Sequence, residues 1–176
     1  MGKHDTPSSI FPHRHIHARQ KLDYFQEATP LAPTKKDPEA FFHLEWSSFI
    51  LLTPGNVERQ LPNVPGVYQM VCVARDQFYS LLVGRSQGNS LRESVRHELA
   101  NSETHLLLNR LTAKGRVYLR YAPCPREHLD LLDLEWFLNQ RYRPVANEKL
   151  PVHSGRFEAI HANCQNGLPP VTRITA

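Results

Sequence analysis

Glu135 stands in a stretch that is otherwise mostly apolar, Leu131-Leu132-Asp133-Leu134-Glu135-Trp136-Phe137-Leu138. A carboxylate placed there must be paired, protonated or bound to a metal, because a bare buried charge is too costly. Two resolutions compete. Glu135 lies at the edge of the buried face and meets an arginine such as Arg85 or Arg116, or it holds a hard divalent cation through its oxygens. Basic residues recur on both sides of it in sequence, among them Arg85, Arg92, Arg96, Arg116 and Arg143. Arginine outnumbers lysine in this part of the chain, and its planar fork suits bidentate contacts to phosphate. The simpler reading of the same residues is a solvated surface balanced by Glu93, Glu98, Glu103 and Glu127. Tyr118, Tyr121 and Tyr142 have faces on which bases stack, although strand tyrosines serve more often in cores and at edges.

His13, His15 and His17 alternate along a proline-rich arm. On an extended backbone they share a side and could chelate a transition metal. A solvated basic arm with incidental histidines explains them more simply. With Arg14, Arg19 and Lys21 the same arm could follow a nucleic-acid backbone.

These groups need elements to position them. Residues 1–37 read as an irregular or disordered His/Pro-rich arm. Asp37-Pro38-Glu39 has the form of a helix start, which predicts a short helix over about 38–48 inside a linker reaching to residue 60. Val67–Val73 and Phe78–Val83 read as strands joined by the turn at residues 74–77, a hairpin over 66–84. Ser90 caps a helix carrying Leu91, Val95 and Leu99 on one face. His105–Ala113 continues as a second helical piece, stopped at Lys114-Gly115. Arg116–Ala122 forms a third strand, and Pro125 opens a long helix to about Tyr142, ended by Pro144. The order β-β-α-(α)-β-α predicts an α+β domain over 61–148 with a small, largely antiparallel, three-stranded sheet flanked by helices. Residues 149–176 read as an extension packed on it, with a short strand near Phe157–Ile160.

Within this order, Leu61-Pro62-Asn63-Val64-Pro65-Gly66-Val67-Tyr68 resembles the opening of a GIY-YIG nuclease domain. Leu82-Val83-Gly84-Arg85-Ser86 resembles its second motif, and Leu91-Arg92-Glu93-Ser94-Val95 falls where its first helix begins. Glu135 through Arg143-Pro144-Val145-Ala146-Asn147 resembles its closing stretch. The resemblance is nearest to the nuclease subunit of bacterial nucleotide excision repair and to small restriction and homing endonucleases. It covers about half of the chain. It implies a nuclease hydrolysing phosphodiester bonds with Mg²⁺ or Mn²⁺ held by Glu135. It implies Tyr68 as the hydroxyl that orients or activates water, Arg85 or Arg92 at the phosphate, and Gly66, Gly84 and Asn147 as supports. DNA is the implied partner, with RNA or a protein partner as further options.

Two positions depart from that pattern. The tyrosine of the second motif falls on Leu82 and the helix arginine on Ser94. Position 98 carries glutamate where the family usually has His or Tyr, and His97 lies one step off. These departures motivate a second expectation. The same fold, its chemistry lost, would serve as a module binding nucleic acid or a protein partner in a larger assembly.

Composition bounds the rest. The chain has 176 residues and a formal net charge of +4, which permits a polyanionic partner without requiring one. Cys72, Cys124 and Cys164 form no CxxC pair and no even framework, which suits a cytoplasmic or other reducing intracellular compartment. No apolar run is long enough to span a bilayer and no signal peptide is legible, so no membrane partner is expected.

Overall fold

A computed structural model describes residues 34–36, 39–74, 77–86, 90–101, 104, 107–110, 115–124, 127–147, 151–165 and 172–175. The histidines of the N-terminal arm lie outside the described residues. The elements in chain order are β1 (Thr34–Lys36), β2 (Glu39–Glu45), β3 (Ile50–Leu51), α1 (Pro54–Gln60), β4 (Gly66–Ala74), β5 (Gln77–Arg85), α2 (Leu91–Ala100), β6 (Arg116–Pro123), α3 (His128–Tyr142), β7 (Ala159–Gln165) and β8 (Thr172–Thr175). The class is α+β. Among the described residues no helix is long and apolar enough to cross a membrane.

The first sheet is antiparallel, in the order β3-β6-β4-β5. It has four strands where three were expected, because Ile50 and Leu51 pair with Leu119 and Tyr118. The second sheet, β1-β2-β7-β8, was not anticipated. Its centre is a parallel pair, β2 with β7, from Glu39↔Ala159 to Glu45↔Gln165. The helix expected over 38–48 is therefore strand β2. Its burial alternates, with Ala40, Phe42 and Leu44 inward and Phe41, His43 and Glu45 turned away. That period of two outweighs the helix-start signal at Asp37-Pro38. The C-terminal strand also runs further than expected, to Gln165.

Helix α3 lies between the sheets. Its Leu131, Leu134, Phe137 and Leu138 pack in one cluster with Ala40, Phe42, Leu44 and Ile160 of the second sheet and with Val67, Val83 and Ala122 of the first. A helix buried on both sides shows an apolar surface most of the way round, as its sequence does. The opposite face of the first sheet carries Tyr68, Met70, Cys72 and Leu119, covered by Val57 and Leu61 beside α1 and by Leu91 and Val95 of α2. The caps are local. The Thr53 hydroxyl accepts from Asn56 N–H at 3.2 Å, and the Ser90 hydroxyl accepts from Glu93 N–H at 3.2 Å.

Arg120 of β6 is buried in the layer beneath the second sheet. Its guanidinium lies 4.5 Å from the Trp46 ring centre, 5.0 Å from Phe49 and 5.6 Å from Tyr142. It donates to Gln69 Oε1 at 2.8 Å and to the Tyr142 hydroxyl at 3.1 Å. Aromatic faces and neutral acceptors thus hold this cation. Burial pushes the Tyr142 phenol up to about 12 against the opposing charge of Arg120. The folded protein keeps a proton that the unfolded chain releases near pH 10. This contribution to stability is complete below pH 10 and is lost as pH rises through about 12. Urea midpoints measured across that window should fall with pH, and the Tyr142→Phe variant should show a shallower fall. An unchanged slope in that variant would place the alkaline transition elsewhere.

Candidate functional site

The site forms at the end of β5, the outer strand of the first sheet. The strand pairing sets Tyr68 directly across from Gly84. A Cβ built on Gly84 would stand 2.5 Å from both Cζ and the hydroxyl oxygen of Tyr68, so only glycine leaves room for the ring. Gly66 serves a different close approach. Its added Cβ would lie 2.4 Å from the carbonyl oxygen of Ala122 on β6. Gly66 N–H donates to the Ser86 hydroxyl at 3.0 Å, and Ser86 N–H donates to the Gly66 carbonyl at 2.9 Å, which fixes the exit of β5 to the entry of β4.

Helix α3 ends with Arg143 in the left-handed region, φ 45°, followed by Pro144. That turn throws the chain back along the free edge of β5. Val145 N–H donates to Ser80 O at 3.1 Å and Ala146 N–H to Leu81 O at 2.7 Å. Asn147 completes the row with its side chain. Its Oδ1 accepts from Val83 N–H at 3.1 Å and its Nδ2 donates to Val83 O at 2.9 Å. The carboxamide imitates a strand backbone and closes an edge that would otherwise be open. Asn147 supports the site by holding the residue just before Gly84.

Arg85 follows Gly84 and turns toward α3. Its Nε donates to Glu135 Oε2 at 2.9 Å, with the two side chains 11% and 17% exposed. Its Nη1 donates to His128 Nδ1 at 3.2 Å. His128 and Glu135 stand two turns apart on α3 and share a face. Burial raises the Glu135 carboxyl, Arg85 opposes by charge and hydrogen bond, and the charge of Glu98 adds to the rise. The Tyr68 phenol is held far above its usual range, first by burial, then by Glu98 and Glu135, with Arg85 opposing. Tyr68 therefore stays protonated. In that form it can donate or accept a hydrogen bond. Glu98 is fixed by the Thr104 hydroxyl.

The other sequence candidates lie apart from this group. Arg92 spends its fork on the Leu61 carbonyl, at 3.0 and 2.7 Å, tying α2 to the end of α1. Arg96 pairs with Glu58 at 2.7 Å on the surface. Arg116 and Arg143 are exposed. Among the tyrosines, Tyr142 is buried against Trp46 and Tyr121 donates to Gln60 O at 3.1 Å.

A guanidinium already neutralises Glu135, and among the described residues no three His, Cys, Asp or Glu side chains converge. A divalent cation at Glu135 would have to displace Arg85.

Residues 7–167 match the model of a family described as "uncharacterised protein". The chain belongs to that family. No curated protein and no solved structure matches it. The matched span runs from the N-terminal arm past the end of β7, so the second sheet's parallel pair falls within the family's extent.

Sequence reasoning missed His128 as a member of this group and had Glu98 only as a departure from the family pattern. His128 was legible in principle, since it precedes Glu135 by seven residues on one helix face. Glu98 was marked only by the resemblance, which puts it at a family site position; its charge acting on Tyr68 depends on how α2 packs on the sheet.

Proposed function

We propose that the chain is a GIY-YIG-type module that binds nucleic acid through its phosphates and does not cleave it. The likeness in fold is supported by the β4/β5 hairpin, β6 on the other side of β4, α2 following the hairpin, and α3 carrying Glu135 ahead of Asn147. The observation that carries the functional reading is the 2.9 Å ion pair between Arg85 and Glu135. Metal-assisted hydrolysis needs a carboxylate free to take the cation. Here that carboxylate is neutralised by an arginine from the second motif.

Two further positions support the same reading. Leu82 is buried and apolar where a second phenol would serve proton transfer. Ser94 stands where an arginine would steady the phosphate, and losing one such preorganised charge costs about 3–4 kcal/mol of transition-state stabilisation. What remains is chemistry for holding an anion. Arg85 is committed to Glu135, and the phosphate contacts fall to Arg116 and Arg143, which are exposed at other places on the surface.

The module should leave a supercoiled plasmid intact in Mg²⁺ or Mn²⁺. It should bind DNA oligonucleotides with an affinity that falls steeply with salt. Arg143→Ala and Arg116→Ala should each weaken binding across sequences and reduce the salt slope by about one. Cleavage that Glu135→Gln abolishes would overturn this reading and restore a nuclease. Binding indifferent to salt would also overturn it, in favour of a protein partner. Parallel titrations with RNA of the same sequence separate the two nucleic acids.

A further inference from the structure

Tyr118 of β6 belongs to a part of the first sheet that the candidate site does not use. Helix α3 packs on Val67, Val83 and Ala122, and its last residue, Tyr142, meets Arg120. The chain then leaves the sheet face for the outer edge of β5, where Val145 N–H donates to Ser80 O at 3.1 Å. Register continues the same face beyond Arg120. Tyr118 and Ser80 stand opposite Val71 from either side, and Arg116 and Phe78 stand opposite Val73. Phe49, just before β3, crosses this surface. Its ring centre lies 5.0 Å from the Arg120 guanidinium and 6.1 Å from the Phe78 ring, tilted by 39°. Phe49, Phe78 and Tyr118 are half-buried, and Leu51, paired with Tyr118, is 42% exposed. These rings share one partly open sheet face.

The charges around the rings are of one sign. Arg116 is exposed in the outermost row, and the exposed Arg143 follows Tyr142 where the chain turns to the edge of β5. Arg120 lies beneath, 4% exposed, with Gln69 and Tyr142 as neutral acceptors and no carboxylate paired to it among the described residues. A guanidinium held in this way adds positive potential to the surface above it. None of the register positions on this part of the face is acidic. Aromatic faces accept bases of any sequence, and arginines at the rim suit phosphates. In a duplex the bases are stacked on one another, so rings on a sheet meet free base faces only in an unpaired strand.

We propose that this face binds single-stranded DNA, with bases stacked on Phe78 and Tyr118 and phosphates at Arg116 and Arg143. Phe49, steadied over Arg120, forms the floor between them. Rings and guanidinium groups call for bases and phosphates and not for a 2′-hydroxyl, so the strand is DNA. This assignment rests on the nucleic-acid binding proposed above, and adds that the strand is unpaired and where it lies. It also gives Tyr118 a role that neither the core nor the Arg85–Glu135 pair supplies.

The test titrates the whole protein into a fluorescent DNA oligonucleotide of about 16 nucleotides, single-stranded or annealed to its complement, and reads anisotropy. The single strand should bind about tenfold more tightly than the duplex. Tyr118→Leu and Phe78→Leu keep an apolar side chain and remove the ring. Each should weaken single-strand binding about tenfold, the effect of losing one stacked base, without changing the salt slope. Arg116→Ala should instead lower that slope by about one. The native chain, cross-linked under ultraviolet light to the same strand carrying iodouracil, should give adducts on the peptides holding Phe49, Phe78 or Tyr118. That readout needs no variant to fold. Failure of any DNA to bind would sink the nucleic-acid reading itself, and this assignment with it. Three results would overturn the assignment and leave that reading standing: a duplex bound as tightly as the single strand, unchanged single-strand affinity in both ring variants, or adducts confined to the peptides around Arg85 and His128. RNA of the same sequence bound about tenfold more tightly than the DNA strand would also overturn it.

Discussion

Replacing Arg156 with alanine is expected to destabilise the protein by about 3–5 kcal/mol, the cost of breaking a buried ion pair from one side. Arg156 Nη2 lies 2.8 Å from Asp130 Oδ1 and 2.7 Å from Asp133 Oδ2. Those carboxylates are 3% and 1% exposed on α3, while the arginine side chain is 27% exposed. The partners are unequal in what their removal does. Losing the arginine leaves two negative charges against the core face of a helix that two sheets enclose. Asp133 would keep its bonds from Ser154 N–H and Oγ at 2.7 and 2.8 Å, which limits the damage there. Urea denaturation followed by tryptophan fluorescence reads the loss, since Trp136 rests against His153 in the same segment. Arg156→Lys should recover only part of it, because an ammonium cannot reproduce the fork that joins both carboxylates. A loss below about 1 kcal/mol would mean that water reaches the aspartates freely, as at an exposed pair.

Gly84→Ala should cost about 1–3 kcal/mol, the range for overfilling a packed interior, and should empty the site of its phenol. The new methyl group would lie 2.5 Å from the Tyr68 ring, which is itself 3% exposed and has nowhere to retreat. Gly66→Ala should cost more. Its clash is with the Ala122 carbonyl at 2.4 Å, and a backbone atom in a ladder moves only if β4 and β6 separate. The distinction can be measured. Combining Gly84→Ala with Tyr68→Leu should cost less than the two changes summed, because the smaller side chain gives way. Additive losses would show that the methyl group and the ring do not compete for the same space.

The middle of the chain was readable because its signals are local. Ser90 caps α2 as its type suggests, and the hairpin strands and β6 lie close to where alternation placed them. Pro144 ends α3, though the helix begins at His128 rather than at Pro125. The flanks were not readable, because β2 and β7 stabilise each other across most of the sequence. A strand whose longest pairing is with a distant partner looks like an irregular segment, and the Asp37-Pro38-Glu39 pattern then suggests a helix that tertiary pairing overrides. The same limit applied to the site. The sequence offered Arg85 as one partner for Glu135, which the geometry bears out. It could not show that Arg92 and Arg96 are spent on Leu61 and Glu58, since both depend on where α1 lies.

The parallel pairing of β2 with β7 also constrains how the protein comes into being. Glu39 waits for Ala159, a partner about 120 residues later in synthesis, so the second sheet's central pair cannot form until nearly the whole chain has left the ribosome, and only β1 with β2 can pair before then. Until then α3 has one apolar face covered by the hairpin sheet and the other bare. The nascent chain therefore passes through a stage in which the inner face of α3 is sticky, and closing so long a loop is slow compared with forming the hairpin. A released chain truncated just before Ala159 should be held by chaperones and cut readily between Glu39 and Glu45, while one extended past Gln165 should not.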